Sequence, residues 1–435
     1  MIQTLTLKNF KSFSEPKGHE GRWEGATIGF GGLSLIVGTN ASGKSNIRDA
    51  LRFIHGISRG YSLSEIIGEK YVEGGVLQWK GIRGGVRETV TRNGGSSADE
   101  QFTIAVTTRL GDEDDSHTAR YSITLSLGES ARAPRLIAES LWLSTQSEPT
   151  FAIIGLDPFT RQVKVTMQMR LRATETSWSD PFTADRPVIT QIVENYGFVT
   201  GFEDTQDQCK SFLRTISSVR FLDLDPNSLR RPSIPGQTVL GDKGENLSSV
   251  LQAICADATA KESLIEWTRE LTPLDVVDLK FPEVSLEGKI QLQLVEQGGR
   301  EISAESASDG TLRFLAFAAA VLGTEPARFY FFEEIENGIH PNRAHLLIDL
   351  LQTATRNSNI QVVGTTHSPA LLNYLDEQAL KDASLVYRVG PVSKIAKFSD
   401  LHALRQIPAG TKPGDLLGSG WFENVAAYLE AENEQ

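Results

Sequence analysis

Residues 35–46 read LIVGTNASGKSN. Within them Gly38, Thr39, Asn40, Ala41, Ser42, Gly43, Lys44 and Ser45 fit G-x-x-x-x-G-K-[ST] at every fixed position. The spacing has a narrow physical meaning. Glycines let the backbone curl until consecutive N–H groups point inward at phosphate oxygens. A following helix adds its positive N-terminal end. Lys44 then reaches the β- and γ-phosphates of a nucleotide, and the Ser45 hydroxyl takes Mg²⁺. The flanks agree with this reading. Leu33 to Val37 is a short apolar run suited to a buried strand, and SNIRDALRFIHG places Ile47, Ala50, Leu51 and Ile54 at helical spacing before a stop at Gly56.

A second feature is ARFYFFEEIENGIHP, residues 327 to 341. Four consecutive aromatics, Phe329 to Phe332, predict a strand buried on both faces. Glu333 and Glu334 stand at its C-terminal end, where open α/β sheets gather their ligands. Adjacent strand residues point oppositely. Glu333 is therefore assigned to the Mg²⁺ shell and Glu334 to polarising water, with Glu336 as a lesser candidate. ESASDGTLRFLAFAAAVLG, residues 305 to 323, predicts a helix that Ser308 or Asp309 caps. Gly310 there permits a close approach, and a helix start carrying Ser and Gly suits an anion. His367 follows the buried run IQVVGTT and joins the candidates.

Strand-helix alternation at both ends, around a helical middle, predicts one α/β core split by an insertion. The expected divisions are 1–184, with the P-loop and a strand-rich subdomain at 60–180; 185–280, a helical lobe; and 281–435, the second half of the core. Composition excludes several other classes. Hydrophobic residues make up 40% and charged residues 23%, as in ordinary globular proteins. Two cysteines, Cys209 and Cys255, give neither a disulfide framework nor a zinc knuckle and suit a reducing cytoplasm. The N-terminus has no apolar leader and no run of about 18 apolar residues occurs, so no membrane span is expected. A net charge of −12 argues against avid, non-specific nucleic-acid binding over the whole surface.

Taken together, these residues resemble the ATPase head of the ABC superfamily, in the branch containing SMC, RecF and OLD-type proteins. LKNFKSF followed by GGLSLIVGTNASGKSNIRDALRFIHG is similar to the N-terminal pattern of that branch, including Asn46 after GKS. ASDGTLRF resembles its signature motif, EEIENGIHP its Walker B motif and D-loop, and TTHSP its switch-histidine loop. LDLDPNSLRRPS with GDKGENLSSVL resembles stand-alone OLD-like ATPases more than SMC proteins. Two departures stand out: Glu333 replaces the usual Asp, and Ile335 stands where the pattern has Pro.

The resemblance implies an ABC-type head with a mixed sheet, an antiparallel β subdomain and a helical lobe. It implies ATP and Mg²⁺, with Gly38 to Asn46, Glu333, Glu334 and His367 acting from one protomer. Ser308, Asp309 and Gly310 act from its partner, in a homodimer or a higher even-numbered homo-oligomer. Gln78 is a guess for the Q-loop residue. Only 68 residues follow His367, without D-x-D, so no nuclease within the chain is expected. The implied role is a switch controlling a separate effector, commonly a nuclease in anti-phage defence. An alternative is a RecF-like DNA clamp using Arg161, Lys164, Arg170, Arg172, Arg230 and Arg231. A transporter's ATPase subunit is a third reading. The stretch 185–275 is the expected seat of specificity.

Overall fold

The computed structural model describes residues 1–14, 25–90, 101–111, 116–127, 133–157, 159–169, 172–175, 182–195, 201–272, 274–400 and 412–416. Arg170, the side chain of Arg172 and the acidic C-terminal tail lie outside the described residues. The chain divides into two compact units, Met1–Phe30 with Thr39–Ser218 and Val386–Ala396, and Gly31–Gly38 with Val219–Leu385 and Lys397–Gln435.

The first unit is built on a nine-stranded sheet. Its strands are β1 (Ile2–Lys8), β2 (Ala26–Gly29), β6 (Gln101–Leu110), β7 (His117–Ser126), β8 (Arg135–Leu143), β9 (Phe151–Leu156), β10 (Gln162–Met169), β11 (Arg172–Glu175) and β12 (Phe182–Thr183). The order is β11-β10-β9-β8-β7-β6-β1-β2, with β12 on β10. Among the described residues its strands pair antiparallel. Alternation sorts the faces: Ala119, Tyr121, Ile123 and Leu125 of β7 are fully buried, while the residues between them are not. Helices α1 (Lys44–Ser58), α3 (Val188–Asn195) and α4 (Glu203–Ser217) belong to the same unit. Phe53 of α1 meets Phe102 edge-on, with ring centroids 5.8 Å apart, and Phe212 of α4 meets Tyr121 at 4.9 Å. Helix α1 runs two residues past Gly56, the expected stop. Gly56 is a packing glycine: a Cβ there would come within 3.0 Å of the Ile66 side chain.

The second unit contains a parallel sheet. In β13 (Val219–Leu222), β17 (Phe329–Phe332), β18 (Gln361–Thr366), β3 (Leu33–Val37) and β19 (Ser384–Val389), each strand pairs with the next in that order. Strand β20 (Val392–Lys397) follows in sequence after Gly390. The four aromatics of β17 are between 0% and 4% exposed, as expected for a strand covered on both faces. Phe317 of α8 (Asp309–Val321) lies 4.6 Å from the Phe332 ring. The Tyr330 hydroxyl donates to Ala320 O at 2.6 Å, tying strand to helix. Helices α5 (Pro226–Leu229), α6 (Leu247–Ile254), α7 (Ala258–Leu271) and α9 (Ala344–Asn357), and a small sheet of β14 (Val276–Lys280), β15 (Gln293–Glu296) and β16 (Glu301–Ser303), belong to this unit. The stretch expected to be helical, 185–275, thus also carries a strand. β13 has four residues between a helix and a proline-rich loop, too few to show a period, and its register with Phe329–Phe332 makes it a strand.

One buried carboxylate fastens the first unit. Glu139 on β8 is 2% exposed and accepts from the Tyr121 hydroxyl at 2.8 Å and from Val188 N and Ile189 N, at 2.6 and 3.0 Å, in the first turn of α3. Burial raises its pKa from an ordinary 4.5 to about 7, against the lowering effect of those three donors. The folded chain therefore holds a proton that the unfolded chain releases. The associated stability is fully present below pH 4.5 and is lost as pH rises towards about 7. Glu139→Gln cannot ionise. Thermal melts between pH 4.5 and 7.5 should show wild-type stability falling with pH relative to the variant, by up to about 1.4 kcal/mol per pH unit. Equal slopes for the two proteins would contradict this.

Candidate nucleotide site

The P-loop residues from Thr39 onward lie in the first unit. Two of them have left-handed backbone, Ala41 at φ 60° and Gly43 at φ 116°. The bend of Gly43 is one that only glycine adopts easily. A Cβ there would also come 2.6 Å from the Ser393 hydroxyl. Ser393 is the prop of the loop. Its Oγ lies 2.5 Å from Ser42 O and 2.6 Å from Ser12 Oγ, and its N–H donates to Ser12 O at 2.7 Å. Asn46 Nδ2 donates to Ser12 Oγ at 2.7 Å. Lys44 is 6% exposed and donates to Thr39 O at 2.9 Å. Behind the loop, buried Asp49 pairs with Lys11 and with Arg83, whose Nη2 donates to Ser45 O at 2.7 Å.

Gly38 closes β3 in the second unit. Val37 pairs with Thr366, and Phe332 pairs with Gly364. Because these strands are parallel, Gly38, Glu333 and His367 leave the same edge of one sheet. Glu333 and Glu334 lie beyond the end of β17, so strand alternation is not what separates them. What separates them is a backbone turn: Glu334 has φ 49°, a conformation that costs a non-glycine residue of order 1 kcal/mol. Thr365 holds it there, its Oγ1 accepting from Glu334 N at 3.0 Å and its carbonyl from Ile335 N at 3.1 Å. Proline could not make this second bond, having no N–H to give. The turned Glu334 carboxylate accepts from Asn337 Nδ2, and its Oε1 lies 2.9 Å from His367 Nε2. Glu336 accepts from His367 N at 2.7 Å, while its other oxygen, Oε2, is buried without a protein partner.

Ser308 caps α8, its Oγ accepting from Thr311 N at 3.2 Å. Gly310 makes its close approach to Gly338: a Cβ would come 2.3 Å from that carbonyl. Ser308, Gly310, Gly338, His340 and Arg343 help line a cavity of about 510 Å³. Asp309 is half-exposed and pairs with Arg230 at 2.6 Å.

The family described as "AAA domain, putative AbiEii toxin, Type IV TA system" matches residues 33–147 and 208–373, well over half of the chain. The chain belongs to this family. It carries an AAA-type ATPase domain. An "ATP/GTP phosphatase" of Helicobacter pylori (strain ATCC 700392 / 26695) is 24% identical over 444 residues, spanning 99% of each chain. Among solved structures, an SMC head bound to the C-winged helix domain of ScpA is 17% identical, with 91% of this chain and 97% of that one covered and a TM-score of 0.48. The SMC head domain of Thermotoga maritima is 16% identical, with 91% and 98% covered and a TM-score of 0.41.

Several residues that hold these loops were not singled out from the sequence. Ser12 and Lys11 lie within LKNFKSF, quoted above only for its likeness, and Thr365 within TTHSP. Ser393, Asp49 and Arg83 carried no signal. Gln78 is exposed on β5 (Val76–Trp79), which pairs with β4 (Lys70–Val72) in a two-stranded sheet. Of the basic residues considered for DNA, Lys164 pairs with Glu175 at 2.6 Å, Arg161 and Arg231 are exposed, and Arg230 is bound to protein acceptors. Among the described residues, no helix is long and apolar enough to cross a membrane.

The grip of Thr365 on Glu334 gives a direct test. Thr365→Val keeps the shape and removes Oγ1. ATP turnover should fall by about tenfold, with little change in nucleotide affinity, as expected when a catalytic carboxylate drifts from its place. Unchanged kcat would show that the hydroxyl does not set Glu334.

Proposed function

We propose that this chain hydrolyses ATP as a pairwise switch. One copy supplies the P-loop, Glu333, Glu334 and His367, and a second copy supplies Ser308 and Gly310. The single observation that carries the reading is Glu334, held at φ 49° by Thr365 with its carboxylate 2.9 Å from His367. A left-handed turn that sets a carboxylate beside a histidine supports a water-activating pair. The family description and the printed name of the Helicobacter pylori relative support nucleotide hydrolysis.

The donor set fits Mg²⁺. By donor type, Ser45 and Glu333 each carry a hard oxygen that Mg²⁺ takes, and within the second unit Glu336 Oε2, buried without a protein partner, adds an acceptor near His367. When bound, Mg²⁺ neutralises phosphate charge. The chain's own residues do the rest. Glu334 orients water and takes up its proton, His367 holds the carboxylate by its Nε2, and Lys44 with the P-loop N–H groups holds the phosphates. The N-terminus of α8, thirteen residues long, faces developing γ-phosphate charge in the partner's site. Association is then strongest while the triphosphate is intact, and hydrolysis releases it.

The switch acts on a separate effector, in our reading a nuclease of an anti-phage system. The toxin–antitoxin wording of the family description supports a role of that general kind. DNA binding by the chain itself has weaker support, because Arg230 and Lys164 are already engaged within the protein.

Lys44→Ala should lose ATP binding. Glu334→Gln should bind ATP, lose turnover by about 10²-fold or more, and accumulate pairs on size exclusion with ATP. Wild-type turnover in Glu334→Gln would remove the site from consideration.

A further inference from the structure

We propose that Arg230 is a positioning residue for the ATPase reaction, setting the loop that carries Ser308 for use by a partner's nucleotide. This rests on the pairwise reading above. The guanidinium reaches four acceptors. Nη1 donates to Pro226 O at 3.0 Å, Nη2 to Ala307 O at 2.9 Å and to Asp309 Oδ1 at 2.6 Å, and Nε to Glu305 O at 3.4 Å. Three of these acceptors sit immediately around Ser308, on residues 305, 307 and 309. A planar fork with five N–H donors can hold such a spread of acceptors, whereas a lysine ammonium cannot.

The arginine is itself anchored from behind. Asp225 accepts from Ser228 N at 3.0 Å and Ser228 Oγ at 2.8 Å, shaping the short helix α5 that precedes Arg230. Asp225 N donates to Lys243 O at 3.2 Å. The Arg230 carbonyl accepts from Gln291 Nε2 at 3.0 Å, and Ser233 pairs with Ile290 through bonds of 3.0 and 2.9 Å. The segment 225–233 is thus fixed at both ends and extends one side chain, 23% exposed, to the start of α8. Two different parts of the chain, LDLDPNSLRRPS and ASDGTLRF, meet through this residue.

The consequence is directional. Loss of Arg230 frees the Ala307 carbonyl and the Asp309 carboxylate, and Ser308 between them shifts. The P-loop of the same copy is untouched. The damage therefore appears in the partner's site and not in the copy that carries the substitution. A clamp that only stabilised the fold would weaken both equally.

The test uses the full chain, with turnover and binding of a fluorescent ATP analogue measured separately. Arg230→Ala should lower kcat by about tenfold to a hundredfold with analogue binding unchanged, and Arg230→Lys should fall between it and wild type. Mixing Arg230→Ala with Lys44→Ala should restore turnover above either protein alone, because one mixed site combines an intact P-loop with an intact opposing loop. Ser308→Arg mixed with Lys44→Ala serves as the reference pair. If the reference pair recovers and the Arg230 pair does not, the proposal falls and the pairwise reading stands. Wild-type turnover in Arg230→Ala has the same meaning. If neither pair recovers, or Ser308→Arg alone turns over normally, the pairwise reading falls and takes the proposal with it. Should Arg230→Ala fail to fold, Arg230→Lys replaces it in the mixing experiment, with the same outcomes deciding.

Discussion

Strand β18 lies between β3 and β17 and runs parallel to both. That register is the constraint on which the candidate chemistry depends. Parallel strands send their C-terminal ends to one edge, so three distant segments of sequence leave the sheet together: the start of the P-loop, the glutamate pair and His367. The arrangement rests on this hydrogen-bonded register together with burial. All five residues of β3, all four of β17 and all six of β18 are buried. Apolar packing thereby fixes the place of polar groups that could not hold themselves there.

At that edge the backbone departs from its comfortable conformations. Glu334 has left-handed φ, as do Ala41 and Gly43 of the P-loop in the first unit. Ser393 props the P-loop through Ser42 O and Ser12, and Thr365 holds Glu334 and Ile335. Strain of this kind persists only where surrounding bonds over-determine it. Ile335 shows what a proline at this place would cost. A residue that departs from the expected proline supplies a hydrogen bond that proline lacks.

The parts of this picture that could be read from sequence are local. The P-loop, its strand and helix, the aromatic strand and the Ser308 start of α8 each fit within one short window, and each signal comes from spacing or a run. The parts that could not be read depend on a single bond between distant residues. Ser393 lies 381 residues from Ser12, and Arg230 lies 77 from Ala307; neither leaves a periodic trace. Glu334 looked like half of an alternating pair because sequence shows adjacency but not φ. Gly56 looked like a helix stop because the side chains it packs against, Ile66 and Trp79, are not its sequence neighbours. Strand β13 was hidden by its length, and it becomes a strand only by lying beside β17.

The central claim is that a triphosphate is held by one copy's P-loop and met by another copy's α8. The most direct measurement is a structure of the full chain with a non-hydrolysable ATP analogue and Mg²⁺. The account predicts two copies with the γ-phosphate of each nucleotide within hydrogen-bonding reach of Ser308, or of the first N–H groups of α8, in the opposing copy. A triphosphate seated on Lys44 with every Ser308, own or neighbouring, remote from it would contradict the account.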